Sequence, residues 1–190
     1  MGLARPARRP ERRVGAVRTS LRHRNELVQM SSQHVQHMQK ALTQMNLQIH
    51  HVISDINGVT GTAIVDAILA GERNPEVLAK LRNSRIRADE ATVCKSLQGD
   101  WRQEHLFTLR QSRQMYQVYR QQIEDCDREI VQLLEQFESK VDLAEKPVPT
   151  LSGPSRKRRT KRTGDFRFDV RQEASQLYGV DVTRIPGLDG

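Results

Sequence analysis

The sequence predicts an all-α fold: a long antiparallel helical hairpin, built as a coiled coil, with a small helical tip. A flexible basic linker and a short C-terminal helix follow. Three features predict it. Val14, Leu21, Val28, Val35, Leu42 and Ile49 recur every seven residues, and Val17, Met38, Met45 and Val52 fill most positions three further on. A second run of the same period holds Leu109, Tyr116, Ile123, Ile130 and Phe137. A spacing of 3.5 residues per turn keeps an apolar stripe facing a partner helix. Hydrophobic residues make up only 36% of the 190 residues and aromatics 4%, which suits narrow seams better than a thick globular core.

Residues 1–10 contain Pro6 and Pro10 and read as an extended basic N-terminus. The hairpin covers 11–141, with its tip at 57–100. Its first helix is expected from about Glu11 to about Asp55, interrupted on the seam by the polar Arg24 and Ser31. Such breaks set register or oligomer state. Asn57-Gly58 makes a turn, Thr60 caps a short helix through Ile64, Val65, Ile68 and Leu69, and Gly71 stops it in the left-handed region. Asn74-Pro75 restarts the chain as N-cap and first helical residue, with Val77, Leu78 and Leu81 as the buried face. Asp89 caps a further helix with Val93 and Leu97 inward, ended by Gly99. Asp100 opens the second long helix, which runs to about Lys140, and Trp101, Leu106 and Phe107 pack on the short helices. Pro147, Pro149, Gly153 and Pro154 mark a flexible linker over 142–164. Residues 165–190 form the last segment, with a helix expected from Asp169 to Tyr178.

Charge is partitioned. The net charge is +8. Residues 1–24 hold eight arginines against Glu11, a net +7, and Arg156, Lys157, Arg158, Arg159, Lys161 and Arg162 add +6, which leaves −5 for the rest. Two basic segments on a mildly acidic body point to a polyanion, most simply nucleic acid; the alternative is a solvated linker. Ile185-Pro186-Gly187-Leu188 resembles the turn of a helix-hairpin-helix, in which exposed backbone N–H groups hold a phosphate, so Pro186 and Gly187 join the basic run as candidate nucleic-acid contacts. Val28, Val35, Leu42, Ile49, Leu109, Tyr116, Ile123 and Ile130 are the candidate seam of the hairpin and of a homodimer.

No membrane span, Gly-rich phosphate loop or zinc-type Cys/His spacing is present in the sequence. Cys94 and Cys126 read as packing residues suited to a reducing cytoplasm. His34 and His37 read as solvated or seam-edge side chains, Asp125, Asp127 and Glu129 as surface charge, and Glu124 with Arg128 as an i, i+4 pair. Glu104-His105 is half of a zincin motif without its second histidine. No catalytic residue, metal site or cofactor is assigned.

A series of short matches resembles one family. Met38-Gln39-Lys40-Ala41-Leu42, Gln44-Met45-Asn46, Val52-Ile53-Ser54-Asp55-Ile56 and Gly58-Val59-Thr60-Gly61 are followed by Ala67-Ile68-Leu69-Ala70-Gly71-Glu72-Arg73 and Pro75. Leu97, Gly99-Asp100-Trp101-Arg102, Glu104-His105-Leu106-Phe107, Tyr116, Tyr119, Cys126 and Asp127 complete the series. It resembles the DEDD-type insertion-sequence transposases, the bacterial bridge-RNA-guided recombinases, and Gly179-Val180-Asp181 to Gly187 looks like the opening of their C-terminal domain.

The resemblance implies an acidic, magnesium-binding domain before a coiled-coil segment and a serine-bearing domain after it, with DNA and guide RNA as partners. On that alignment Met1 falls just after the last acidic pair and Gly190 well before the serine. Neither catalytic set maps to a residue here, and magnesium is implied only for the intact enzyme. The expectation is the central part of a transposase, truncated and inert alone, in the bacterial cytoplasm, forming a homodimer or pairing with the full-length protein. The alternatives are a stand-alone regulator of that protein and a generic coiled-coil nucleic-acid-binding scaffold.

Overall fold

The computed structural model describes residues 12–137 and 164–170, together with 172, 173 and 175. Among them the fold is all-α. Two 33-residue helices, α1 (Arg12–Gln44) and α5 (Gln103–Glu135), bracket the shorter α2 (Val59–Leu69), α3 (Pro75–Ala79) and α4 (Glu90–Ser96). This order agrees with a helical-hairpin-like arrangement. The chain forms two compact units, one of residues 29–120 and one of residues 1–28 with 121–190.

In the 29–120 unit, α1 stops at Gln44, eleven residues before the expected end near Asp55. The cause is local. Asn46 adopts φ 59°, the left-handed region that asparagine tolerates better than most residues. Leu47 N–H then donates to Leu42 O at 2.9 Å and Asn46 N–H to Thr43 O at 2.9 Å. These two bonds form a Schellman stop, and Leu42 and Leu47 at its two ends are both buried. The apolar period runs on past this stop because the next residues are still core. Ile49 sits in a 3-10 turn (Ile49–His51), and Ile53 and Ile56 are buried in the loop beyond.

The same device ends α2. Gly71 has φ 108°, with Glu72 N–H donating to Ala67 O at 3.0 Å and Gly71 N–H to Ile68 O at 3.1 Å. The N-cap of α2 is Gly58, with no side-chain bond. Thr60 lies inside the helix instead, and its hydroxyl accepts from Asn83 N–H at 2.8 Å. Asn74 and Pro75 open α3 as expected, the Asn74 Oδ1 accepting from Glu76 N–H at 2.9 Å. Asp89 caps α4, accepting from Thr92 N–H at 2.8 Å. Hydrogen bonding from the Thr92 side chain, and then from its N–H, lowers the Asp89 carboxyl pKa from its ordinary value.

The core of this unit gathers Met38, Leu42, Met45 and Leu47 with Ile64, Ile68, Leu78, Val93, Leu97, Leu109 and Tyr116. Here His34 of α1 stacks on Tyr119 of α5, and just beyond the facing ends of the two helices Asp100 N–H donates to Met45 O at 2.8 Å, as an antiparallel pairing requires. Leu106 is buried and Trp101 packs at the edge of this core, but Phe107 is 62% exposed, against expectation. Val77 and Leu81 are likewise exposed, because the short α3 turns Leu78 and Ala79 inward.

In the other unit, Leu27, Ile123 and Ile130 are buried apolar residues. α5 begins at Gln103 and ends at Glu135, inside its expected span. Of the segment where a helix was expected from Asp169 to Tyr178, the described residues Val170, Gln172, Glu173 and Ser175 are helical and the rest lie outside the described residues; Glu173 N–H donates to Asp169 O at 3.1 Å. No helix among the described residues is long and apolar enough to cross a membrane.

Candidate functional site

The most tightly organised polar cluster surrounds Arg24, in the unit of residues 1–28 and 121–190. Arg24 occupies a heptad position where the period calls for an apolar side chain. It is nevertheless 4% exposed, so its charge needs a partner. Asp127, 3% exposed, supplies one: Nε of Arg24 donates to Oδ1 at 2.5 Å and Nη2 to Oδ2 at 3.4 Å. The remaining guanidinium donors reach the C-terminal segment. Nη1 donates to Gly164 O at 3.0 Å and Nη2 to Asp165 O at 3.1 Å.

The Phe166 ring covers the same guanidinium, with its centroid 3.8 Å from the central carbon of Arg24. Asp127 also accepts from Arg167 N–H at 3.1 Å, and the Arg167 guanidinium bonds Glu124. A planar fork of five donors can satisfy a carboxylate and two carbonyls together, which a lysine cannot. The cluster therefore fastens residues 164–167 to α1 and α5.

Beside it, Glu124, Arg128, Val131, Glu135, Arg167 and Phe168 help line a groove of about 470 Å³. Burial pushes the nearby Cys126 thiol above its ordinary pKa, and the adjacent Asp127 adds to the shift. A raised thiol pKa means little thiolate, so this cysteine is poorly suited to nucleophilic work. Burial, with Glu135 and Asp169 close by, likewise raises the Glu173 carboxyl.

A second cluster lies in the 29–120 unit. The His34 ring stacks on Tyr119 with centroids 5.4 Å apart and meets His37 edge-on at 5.6 Å. The Nδ1 of His34 and the hydroxyl of Ser31, one turn earlier, are buried without a hydrogen-bond partner among the described residues. Burial lowers the His34 pKa from its ordinary 6.5, and the neighbouring His37 lowers it further.

The sign follows from linkage. The unfolded chain holds the His34 proton more tightly than the folded one, so this contribution to stability is intact above about pH 6.5 and declines as pH falls toward the lowered folded value. Denaturant midpoints of the intact chain and of His34→Phe, which keeps a ring on Tyr119, should diverge between about pH 8 and about pH 5, with the intact chain losing more. Parallel pH profiles would remove His34 as the source.

Of the candidate seam residues, Leu42, Ile49, Leu109, Tyr116, Ile123 and Ile130 are buried, and Val28 and Val35 are half-buried. Arg156, Lys157, Arg158, Arg159, Lys161, Arg162, Pro186 and Gly187 lie outside the described residues. Two expectations are corrected. Asp127 is a buried partner of Arg24 instead of a surface charge. Glu124 pairs with Arg167, while Arg128 bonds Asp125 at 2.6 Å, one helical turn away.

Sequence reasoning also missed Arg113, which forks onto Asp66 at 2.8 and 3.0 Å. Arg24 carried its own signal, since a cation on an apolar seam calls for an anion on the facing helix. Arg113 lies between Leu109 and Tyr116, at the alternate core position of the heptad that the single Leu109–Phe137 row left unread.

Among the described residues no group of three or more His, Cys, Asp or Glu is placed to hold a metal ion. Compared with family models, curated proteins and solved structures, the chain matches none.

Proposed function

We propose that this chain is a helical spacer that pairs with a second copy, the part played by the coiled-coil segment in the insertion-sequence transposases its sequence resembles, and that its basic run contacts nucleic acid. On this reading α1 and α5 close as a coiled coil and the chain contributes binding and geometry to recombination without a catalytic centre of its own. Its partners are DNA and guide RNA.

The observation that carries the reading is the Arg24–Asp127 clamp. It grips Gly164 and Asp165 just after a run of six cations that ends at Arg162. A basic run that ends two residues before this anchor in the sequence is suited to contact a phosphate backbone. Pairing of copies is supported by Met30, Met115 and Val118, which leave apolar side chains 43%, 38% and 45% exposed on the long helices.

The test is a titration of a fluorescent DNA duplex over a series of salt concentrations. Six phosphate contacts in the basic run contribute about −5 to the slope of log affinity against log salt. Replacing Arg156, Lys157, Arg158, Arg159, Lys161 and Arg162 by glutamine should remove most of that slope. An unchanged affinity would return the run to a solvated linker.

A further inference from the structure

A second basic surface lies in the 29–120 unit, where the loop between α3 and α4 holds Lys80, Arg82, Arg85 and Arg87, and residues 77–88 contain no acid. The loop is pinned from both sides. Asn83 N–H donates to the Thr60 hydroxyl at 2.8 Å, and Ile86 N–H donates to Asn83 O at 3.0 Å. Arg85 N–H donates to Asn83 Oδ1 at 3.0 Å, while Ile86 and Ala88 pack against the core. Arg82 turns back toward Ala88 O at 3.4 Å and faces Asp89.

Lys80, Arg85 and Arg87 remain exposed, and none forms an ion pair among the described residues. Arg24, Arg113 and Arg73, by contrast, are engaged internally, on Asp127, on Asp66 and on the carbonyl of Ile68. Three unneutralised cations on a loop whose backbone is held in place form a preorganised anion surface. Asn83 and Ser84, exposed between them, add uncharged side-chain donors.

We propose that this α3–α4 loop is a second nucleic-acid contact, taking the phosphate backbone of a duplex through Lys80, Arg85 and Arg87. Long flexible cations on a surface loop read phosphate and not base sequence, so the contact adds affinity without sequence preference. The proposal rests on the nucleic-acid reading above and adds a site to it.

The test titrates the whole chain with a DNA duplex and with an RNA duplex. Lys80→Gln, Arg85→Gln and Arg87→Gln are combined, and a control carries Arg85→Lys and Arg87→Lys. Losing three phosphate contacts should weaken binding about tenfold or more at low salt and flatten the salt slope by about 2 to 3, while the lysine control stays near the intact chain. These side chains are exposed, so the helical circular dichroism should be unchanged.

Equal affinity and slope in the glutamine variant, with the intact chain binding tightly, would overturn the loop site and leave the basic-run reading standing. No duplex binding by the intact chain would overturn both. A glutamine variant that loses affinity for phosphatidylserine vesicles but not for either duplex would also overturn it, assigning the loop to a membrane surface.

Discussion

Asp127→Ala should destabilise the protein by about 3 to 5 kcal/mol, because it strands the buried Arg24 guanidinium without a counter-ion. The expected loss is far above that of an exposed pair such as Arg128–Asp125, whose removal should cost less than about 1 kcal/mol. Urea unfolding followed by helical circular dichroism measures both. The same substitution frees one anchor of the C-terminal segment, since Asp127 accepts the Arg167 N–H and orients the arginine that holds Gly164 and Asp165. Protease cleavage around residues 164–168 should therefore quicken. Arg24→Met with Asp127→Leu removes both charges together and should recover much of the stability without restoring protection of that segment. A loss below about 1 kcal/mol for Asp127→Ala would show that Arg24 reaches water or another anion in solution.

Gly61→Ala should be among the most damaging small substitutions in the 29–120 unit. A Cβ there would lie 2.3 Å from the backbone oxygen of Ile56 and 2.6 Å from its carbonyl carbon and Cα. The obstacle is main chain, so no side-chain rotation relieves it. The loop that carries the buried Ile53 and Ile56 must move off the first turn of α2. Overpacking of this kind costs about 2 to 3 kcal/mol, more than the roughly 1 kcal/mol that alanine gains over glycine inside a helix. Gly15→Ala is the control: it is also helical, has nothing within 4 Å of the added carbon, and should stabilise by about 0.5 to 1 kcal/mol. Thermal midpoints moving in opposite directions for the two variants would agree with the packing; a stabilised Gly61→Ala would contradict it.

Much of the helical order was legible because it rests on local chemistry. Asn74-Pro75 and Asp89 act through bonds one to three residues away, and Gly71 through its own φ. Leu109, Tyr116, Ile123 and Ile130 are buried as their period requires.

The end of α1 was harder to see, because Met45, Ile49 and Val52 continue the apolar period after the helix has stopped. The signal there was Asn46 followed by Leu47, a left-handed residue before an apolar one. The clamp was half legible: Arg24 stood out on the seam, but its partner and the Gly164–Phe168 segment depend on long-range folding that no local pattern encodes. Phe107, exposed at the start of α5, has no counterpart in the structure that explains it.

Sedimentation velocity of the intact chain mixed with a labelled nucleic-acid duplex tests pairing and binding in one measurement. The account predicts a single boundary at low salt whose mass corresponds to two chains on one duplex, dissolving as salt is raised. Chain and duplex sedimenting independently at low salt, with the chain as a monomer, would contradict it.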